Sequence, residues 1–226
     1  MCGRFVGFRP LTELMAYFPI DVSNVDAYEN FNVAPSQEVL AIARYAEKNH
    51  LVKFNWGLVP FWAKDKRIGN RMINARSETA ASKPSFRNAF RKKRCLILAD
   101  GFYEWTGDKG RRQPMFLTLP DGNPFAFAGL WETWDNQGKE GPPYRSCTII
   151  TREASASVRS IHHRMPVILR PEAYGPWLDP DNQDVSVLQK VIQNQICTEL
   201  AAVSVSRQVN SVKYNRPDNI QPLDPK

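Results

Sequence analysis

Apolar residues recur along this chain with two different spacings. In the segments at 11–18 and 185–196 they share one helix face, formed by Leu11, Leu14, Met15 and Phe18 in the first and by Val185, Leu188, Val191 and Ile192 in the second. A period near 3.6 residues is typical of an amphipathic helix. Both segments are therefore predicted to be helices, and shorter helices are expected after Thr79, at 86–91 and at 155–161.

The other apolar runs are short and rich in β-branched and aromatic residues, which favours strands. They lie at 38–44, 51–56, 94–99, 102–105, 115–119, 124–131, 146–151, 167–169 and 200–205. The turn Pro120-Asp121-Gly122-Asn123 separates two of these runs, and it predicts that 115–119 and 124–131 form a hairpin. Residues 31–35 are expected to be extended, because a residue before proline avoids the helical region.

The order of these elements shows no internal repeat and no linker. We therefore predict a single domain over residues 1–226, a size that allows a full hydrophobic core. A polar loop is expected at 135–143. The tail from Arg216, which contains three prolines, is expected to be loose.

Positive charge is concentrated in one segment. The chain has 30 Lys and Arg against 23 Asp and Glu, a net charge of +7, with a pI of about 9.3. Residues 64–94, which we call the basic segment, carry eleven basic and two acidic residues, so the rest of the chain is slightly acidic. Such a segment is often a solvated face. Because Phe61 and Trp62 precede it, we favour a groove that binds single-stranded nucleic acid, in which cations follow phosphates and rings stack on bases.

The spacing of the cysteines argues against a zinc site or a redox site. Cys2, Cys95, Cys147 and Cys197 are far apart, and no Cys-x-x-Cys pair is present. No apolar run reaches the 18 residues of a membrane span. We expect a cytoplasmic monomer without metal, cofactor or membrane partner.

Cys2 is the first candidate for chemistry. Methionine is removed in cells when the second residue is small, so the mature chain is expected to begin with Cys2. A free α-amine titrates near pH 8 and attacks carbonyls, and a neighbouring thiol can close on the resulting imine to give a thiazolidine ring. A terminal cysteine can therefore trap an aldehyde, although Met-Cys at the start of a chain can also be accidental.

Three distant residues offer groups that this chemistry needs. Glu104 could shuttle protons during imine formation, and His162 could act as an acid or base at neutral pH. Asn74 could hold an oxygen without titrating. Each has a structural alternative: a lone strand carboxylate is often paired with arginine, and the pair His162-His163 could suggest a metal, although no further ligands complete a set.

Six blocks of sequence, taken together and in order, resemble the SRAP family of abasic-site-processing proteins, first named SOS-response-associated peptidases. The blocks are Met1-Cys2-Gly3-Arg4-Phe5, Phe31-Asn32-Val33-Ala34-Pro35, Trp56-Gly57-Leu58-Val59-Pro60, Ile73-Asn74-Ala75-Arg76-Ser77-Glu78-Thr79, Ala99-Asp100-Gly101-Phe102-Tyr103-Glu104-Trp105 and Ile161-His162-His163-Arg164-Met165-Pro166. They span residues 1 to about 215. Some members of the family have an acidic residue where this chain has His163.

The resemblance implies an α+β fold, with one β-rich domain, a mainly antiparallel barrel-like sheet and short flanking helices. It implies binding of single-stranded DNA and a thiazolidine crosslink between Cys2 and the aldehyde of an abasic site. By matching position, Glu104 would assist imine formation, Asn74 would orient the sugar, and His162 would promote ring opening and reversal. The implied DNA contacts are Arg4, Asn32, Arg76 and Arg164 to the backbone, with Pro35, Trp62 and Trp105 beside the lesion.

Other functions share parts of this pattern. An N-terminal-nucleophile amidohydrolase would also begin Met1-Cys2-Gly3 and attack an amide, but it does not explain the basic segment. A non-catalytic single-strand binder would make Cys2 incidental. A peptidase that uses Cys2 and His162 would in its minimal form remove Met1 from its own chain.

Overall fold

The computed structural model describes residues 2–108, 110–135 and 142–223. The strands are β1 (Phe5–Gly7), β2 (Val22–Ser23), β3 (Asn30–Val33), β4 (Glu38–Tyr45), β5 (Lys48–Trp56), β6 (Asn74–Arg76), β7 (Arg94–Ala99), β8 (Gly101–Thr106), β9 (Gln113–Thr118), β10 (Phe125–Trp134), β11 (Tyr144–Glu153), β12 (Arg164–Pro166), β13 (Ile168–Leu169) and β14 (Ala201–Ser204). The α-helices are α1 (Leu11–Tyr17), α2 (Arg87–Lys92), α3 (Ala156–Arg159), α4 (Tyr174–Leu178) and α5 (Val185–Asn194). Short 3-10 turns lie at Lys66–Arg71, Pro171–Ala173, Arg207–Asn210 and Pro217–Ile220.

The larger sheet curls until its ends meet. Its strand order is β12-β11-β10-β7-β4-β5-β2, and β11 also pairs with β5 through Cys147 and Trp56. This extra pairing closes β11, β10, β7, β4 and β5 into a ring. The antiparallel, barrel-like sheet expected from the resemblance is therefore confirmed. β6 lies beside β11 in parallel register, with Asn74 opposite Ile149.

A smaller antiparallel sheet, in the order β14-β9-β8-β1-β3, covers the interior of the ring. Successive residues of a strand point to opposite faces. In the smaller sheet Phe5, Phe102 and Leu117 pack with the interior of the ring, while Val6, Tyr103 and Phe116 pack under Val205 and Val209 from the C-terminal segment. The interior also receives Cys2.

Helices cover the outside of the ring. Leu96 and Leu98 of β7 pack on this outer side with buried residues of α1, α2, α4 and α5, whereas Cys95 and Ile97 point inward. Because both faces are buried, β7 is a continuous apolar run rather than an alternating one. The helices predicted at 11–18, 155–161 and 185–196 are confirmed with shorter bounds, and the helix predicted at 86–91 is confirmed one residue later.

The expected hairpin between 115–119 and 124–131 is wrong. A turn does form, with the Gly122 amide bonded to the Leu119 carbonyl at 3.0 Å. However, β9 pairs with β8 and β14, whereas β10 pairs with β7, β11 and β13, so the turn carries the chain from the smaller sheet to the larger one. Pro120 and Pro124 flank the turn, and neither has the N–H that a hairpin ladder would need there.

Two other segments differ from expectation. Residues 77–86 form successive turns rather than a helix after Thr79. The chain from Arg216 makes specific contacts although much of it is exposed: Asn219 is fully buried and donates to the Tyr214 carbonyl at 2.8 Å, and Pro222 bridges to Val205. Residues 224–226, and most of the polar loop expected at 135–143, lie outside the described residues.

Candidate functional site

Cys2 lies inside the ring, three residues before β1. It is completely buried, and Asn74 Nδ2 donates to its carbonyl oxygen at 2.8 Å. Burial, followed by the negative charge of Glu104, raises the pKa of the Cys2 thiol well above its usual range. The thiol is therefore protonated at neutral pH, and a reaction that uses the sulfur needs a proton acceptor nearby. Met1 lies outside the described residues.

In the Asn74 side chain, the amide nitrogen is hydrogen-bonded and the amide oxygen is not, among the described residues. Its neighbour Ala75 packs on the outer side of the ring, so alternation directs Asn74 inward toward Cys2. Asn74 Oδ1 is buried and has no hydrogen-bond partner among the described residues. Buried polar atoms are normally satisfied. An unsatisfied oxygen beside Cys2 is thus suited to accept a hydrogen bond from a ligand.

Glu104 reaches the same place from β8. It follows Phe102 by two residues and so shares its inward face, and it is 3% exposed. Its Oε1 lies 4.0 Å from Nδ1 of His162. The structure therefore brings Cys2, Asn74, Glu104 and His162 together from the segment before β1, from β6, from β8 and from the segment before β12.

His162 stands in the short turn between α3 and β12. Its ring stacks on that of His163, with centroids 4.4 Å apart and an interplanar angle of 27°. Nδ1 lies 2.9 Å from the amide nitrogen of Arg164 and 3.0 Å from the Arg164 carbonyl oxygen. Burial lowers the pKa of His162 below its ordinary value, while Glu104 acts in the opposite direction. The neutral ring is favoured at pH 7.

Arg4 and Asn32 lie on the other face of the smaller sheet, where they hold the C-terminal segment. Arg4 Nη1 donates to Asn32 Oδ1 at 2.6 Å and to the Val209 carbonyl at 2.8 Å. Asn32 Nδ2 donates in turn to the carbonyls of Ser211 and Tyr214. These contacts account for both side chains as structural links.

The remaining candidates for DNA contact fall into two groups. Trp62 is 46% exposed, and Arg76 is also exposed, with no ion-pair partner among the described residues. Trp105 is half-buried and donates from Nε1 to Asn210 Oδ1 at 2.7 Å, and Pro35 is half-buried in a turn. Trp62 and Arg76 are therefore accessible to a ligand.

Arg164 is held by the protein itself. It is 9% exposed, and its two terminal nitrogens donate to Glu78 at 2.6 and 2.9 Å. One of them also donates to the Thr151 carbonyl at 2.7 Å. Sequence reasoning did not single out Glu78. The available signal was that it is one of two acidic residues in the basic segment, the other being Asp65.

The basic segment is mostly available to solvent. Two of its basic residues are exceptions. Lys93 forms an ion pair with the buried Glu132, and Arg94 is buried, with Nε bonded to the Trp177 carbonyl at 2.7 Å. Nine basic side chains of the segment are exposed: Lys64, Lys66, Arg67, Arg71, Arg76, Lys83, Arg87, Arg91 and Lys92. Arg67 among them pairs with Asp65.

Metal ligands and membrane-spanning helices bear on the class of site. Within the described ranges, no three His, Cys, Asp or Glu side chains are grouped so that they could hold a metal ion. None of the described helices has the length and apolar character needed to cross a bilayer.

The sequence model of the SOS response associated peptidase (SRAP) family matches residues 1–212. The abasic site processing protein YoqW of Bacillus subtilis is 45% identical over 98% of this chain and 99% of its own length. The abasic site processing protein YedK of Escherichia coli is 32% identical over 99% and 100%, respectively. Among solved structures, a protein from Bacteroides thetaiotaomicron has the same fold, with a TM-score of 0.85 at 24% identity over 98% of this chain and all of that chain.

Proposed function

The chain belongs to the SRAP family, and on that premise we propose that it processes abasic sites in DNA by forming a covalent bond to them through Cys2. Relatives that align over nearly the whole chain are named abasic site processing proteins. The observation that carries the proposal is the burial of Cys2 among Asn74, Glu104 and His162, which supply a hydrogen-bond acceptor, a carboxylate and an imidazole.

Removal of Met1 would give Cys2 a free amine. The amine attacks C1′ of the ring-opened sugar, the aldehyde oxygen takes up protons, and water leaves to give an imine. Sγ then adds to the same carbon while the nitrogen recovers a proton, so that a five-membered thiazolidine closes. The net reaction joins protein and DNA with the loss of one water molecule.

The neighbouring residues divide the proton transfers. Because the thiol is protonated at neutral pH, Glu104 accepts its proton as sulfur adds, and the same carboxylate serves the loss of water. Asn74 Oδ1 accepts a hydrogen bond from a sugar hydroxyl, while Nδ2 fixes the Cys2 carbonyl. The neutral His162 ring accepts a proton during sugar-ring opening and during reversal.

Single-stranded DNA is the proposed form of the substrate. An unpaired strand can turn an abasic sugar toward a buried residue and can place its bases against exposed rings. Arg76 shares the inward face of β6 with Asn74 by alternation, so it is suited to a phosphate next to the lesion. Trp62 and the exposed lysines and arginines of the basic segment would bind the rest of the strand.

The decisive experiment separates the two functional groups of Cys2. Mature wild-type protein mixed with an abasic single-stranded oligonucleotide should give an adduct that survives heating on a denaturing gel without reductant. Cys2→Ser can form only the imine, so its adduct should require borohydride. One alanine inserted before Cys2 moves the free amine away from the thiol and should abolish the heat-stable product.

Three outcomes would reject this function in different ways. A heat-stable adduct from the alanine-insertion variant would identify another nucleophile, such as a lysine of the basic segment. Binding without any adduct from the mature protein would indicate a non-catalytic binder. Release of ammonia from glutamine without adduct formation would indicate an N-terminal amidohydrolase.

A further inference from the structure

A bidentate ion pair joins Glu78 to Arg164 beside the candidate site. The two Nη atoms of Arg164 lie 2.6 and 2.9 Å from the two Glu78 oxygens. Paired N–H···O bonds of this kind are directional as well as strong. The Glu78 carboxylate is half exposed, whereas the Arg164 side chain is 11% exposed. The pair therefore fixes a mostly buried guanidinium from the solvent side.

The same guanidinium connects two strands. Arg164 Nη2 donates to the Thr151 carbonyl at 2.7 Å, and the Ser77 amide donates to that oxygen at 2.8 Å. Thr151 belongs to β11, where it lies opposite Arg76 of β6 and Pro166 of β12. The strand that carries Asn74 and the strand that follows His162 are therefore joined through one carbonyl group.

The backbone of Arg164 completes the connection. Its amide N–H donates to Nδ1 of a neutral His162 at 2.9 Å, and this leaves the ring proton on Nε2. Its carbonyl oxygen, 3.0 Å from Nδ1, accepts once Nδ1 is protonated. The peptide groups of Arg164 can thus satisfy both protonation states of the imidazole without moving it.

We propose that Glu78 and Arg164 are positioning residues for His162: the Glu78–Arg164 pair holds the Arg164 backbone where it orients the imidazole. The two Nη atoms of Arg164 donate to Glu78 and one of them also donates to the Thr151 carbonyl, while its Nε is buried away from solvent. The positioning depends only on these contacts. Its effect on the reaction rests on the proposed function.

The first test needs no DNA. The chain has three histidines, so ¹⁵N spectra of its imidazoles are tractable, and a His163→Gln variant assigns the neighbouring ring. Glu78→Gln should change the Nδ1 and Nε2 shifts of His162. Glu153→Gln is the matched control, because Glu153 lies opposite Arg164 in the β11–β12 register but forms an exposed pair with Arg159 at 3.3 Å. It should leave both shifts unchanged.

The second test follows the reaction. Glu78→Gln should slow release of a preformed adduct about tenfold, less than the roughly 100-fold or more that a proton-transfer group itself contributes, because the imidazole is still present and only its orientation is lost. It should not weaken binding to intact single-stranded DNA. Glu78→Asp, which keeps the carboxylate, should recover part of that rate. Glu153→Gln should release at the wild-type rate.

Two results would overturn the positioning role. One is a folded Glu78→Gln protein whose His162 shifts match those of wild type. The other is an Arg164→Lys protein that loses DNA affinity while its His162 shifts stay unchanged, because this result would make Arg164 a phosphate ligand. If wild type forms no adduct at all, the proposed function fails, while the spectral comparison still decides the positioning.

Discussion

The imidazole of His162 is expected to work as a base over an unusually wide pH range. Burial lowers its pKa below the ordinary 6.5, so the neutral ring persists as pH falls through that value. We predict that His162→Ala slows adduct release about 100-fold at pH 7.5. The ratio of wild-type to variant rates should stay constant down to pH 6.5 and shrink only below it.

Measurement of release rates between pH 5 and 8 checks this expectation. A ratio that grows on acidification would show that the imidazolium is the active form. The same shift affects folding: the unfolded chain binds the proton more readily, so the stability associated with neutral His162 is present above about pH 6.5 and is lost as pH falls through its lower folded pKa.

Single residues were predictable where a block of sequence identified them. Cys2, Asn74, Glu104 and His162 were expected as one site from the resemblance, and the contacts among them support that grouping. Glu78 was not expected, because its importance depends on a partner 86 residues away. No spacing rule relates Glu78, in the turn after β6, to Arg164 on β12, because β6 and β12 are brought together by their separate pairings with β11.

The two ends of the loop between β5 and β6 approach each other closely, at a neck formed by Gly57 and Leu58 on one side and Gly69 and Met72 on the other. A Cβ built on Gly69 would lie 2.5 Å from the Gly57 carbonyl oxygen, and Gly57 itself has a φ of +136°, which favours glycine. Leu58 and Met72 close the same neck with a backbone hydrogen bond of 3.1 Å. This loop carries Trp62 and several exposed cations, so its position depends on the two glycines.

We predict that Gly69→Ala lowers the free energy of unfolding by about 1–3 kcal/mol, the typical cost of overpacking, and also weakens single-strand binding by displacing the loop. Urea titration and fluorescence anisotropy measure the two effects. Gly175→Ala in α4 is the control, because a Cβ added to Gly175 would meet no atom within 4 Å. Unchanged stability of Gly69→Ala would show that the neck can relax.

Elements were largely predictable because both strand and helix patterns are strong here. The partners of the strands were not predictable in the same way. Because β9 and β10 are apolar on both faces, their sequences do not indicate which neighbour each takes. The intervening turn has residues typical of a hairpin. Its flanking prolines, which cannot donate a ladder hydrogen bond, argue against that hairpin.

Binding to DNA should depend on where the positive charges lie on the molecule and not only on its net charge. We predict that Arg76→Glu weakens binding to intact single-stranded DNA and lowers the slope of log affinity against log salt by about 0.7, the loss of one phosphate contact. Lys190→Glu changes the net charge equally but lies on α5, outside the ring on the helix-covered side.

Anisotropy titrations at several salt concentrations compare the two variants. Equal effects would mean that net charge alone drives binding and that the face bearing Arg76 has no special role.

The sequence located the charge correctly along the chain, but it could not reveal that Arg94 is buried and Lys93 is paired. Those assignments require the tertiary partners Trp177 and Glu132.

The position of β1 determines how a DNA adduct on Cys2 would bear tension. β1 lies between β3 and β8, bonded on both sides, and the Arg4 carbonyl and Val6 carbonyl are also bonded to Tyr103 and Asp100. A pull on the tethered strand along the direction of β1 loads these hydrogen bonds in shear, so that they must break together rather than one after another. Under the proposed function, Cys2 would therefore be a mechanical anchor, and a motor that collides with the adduct would meet the resistance of the smaller sheet rather than that of a flexible terminus.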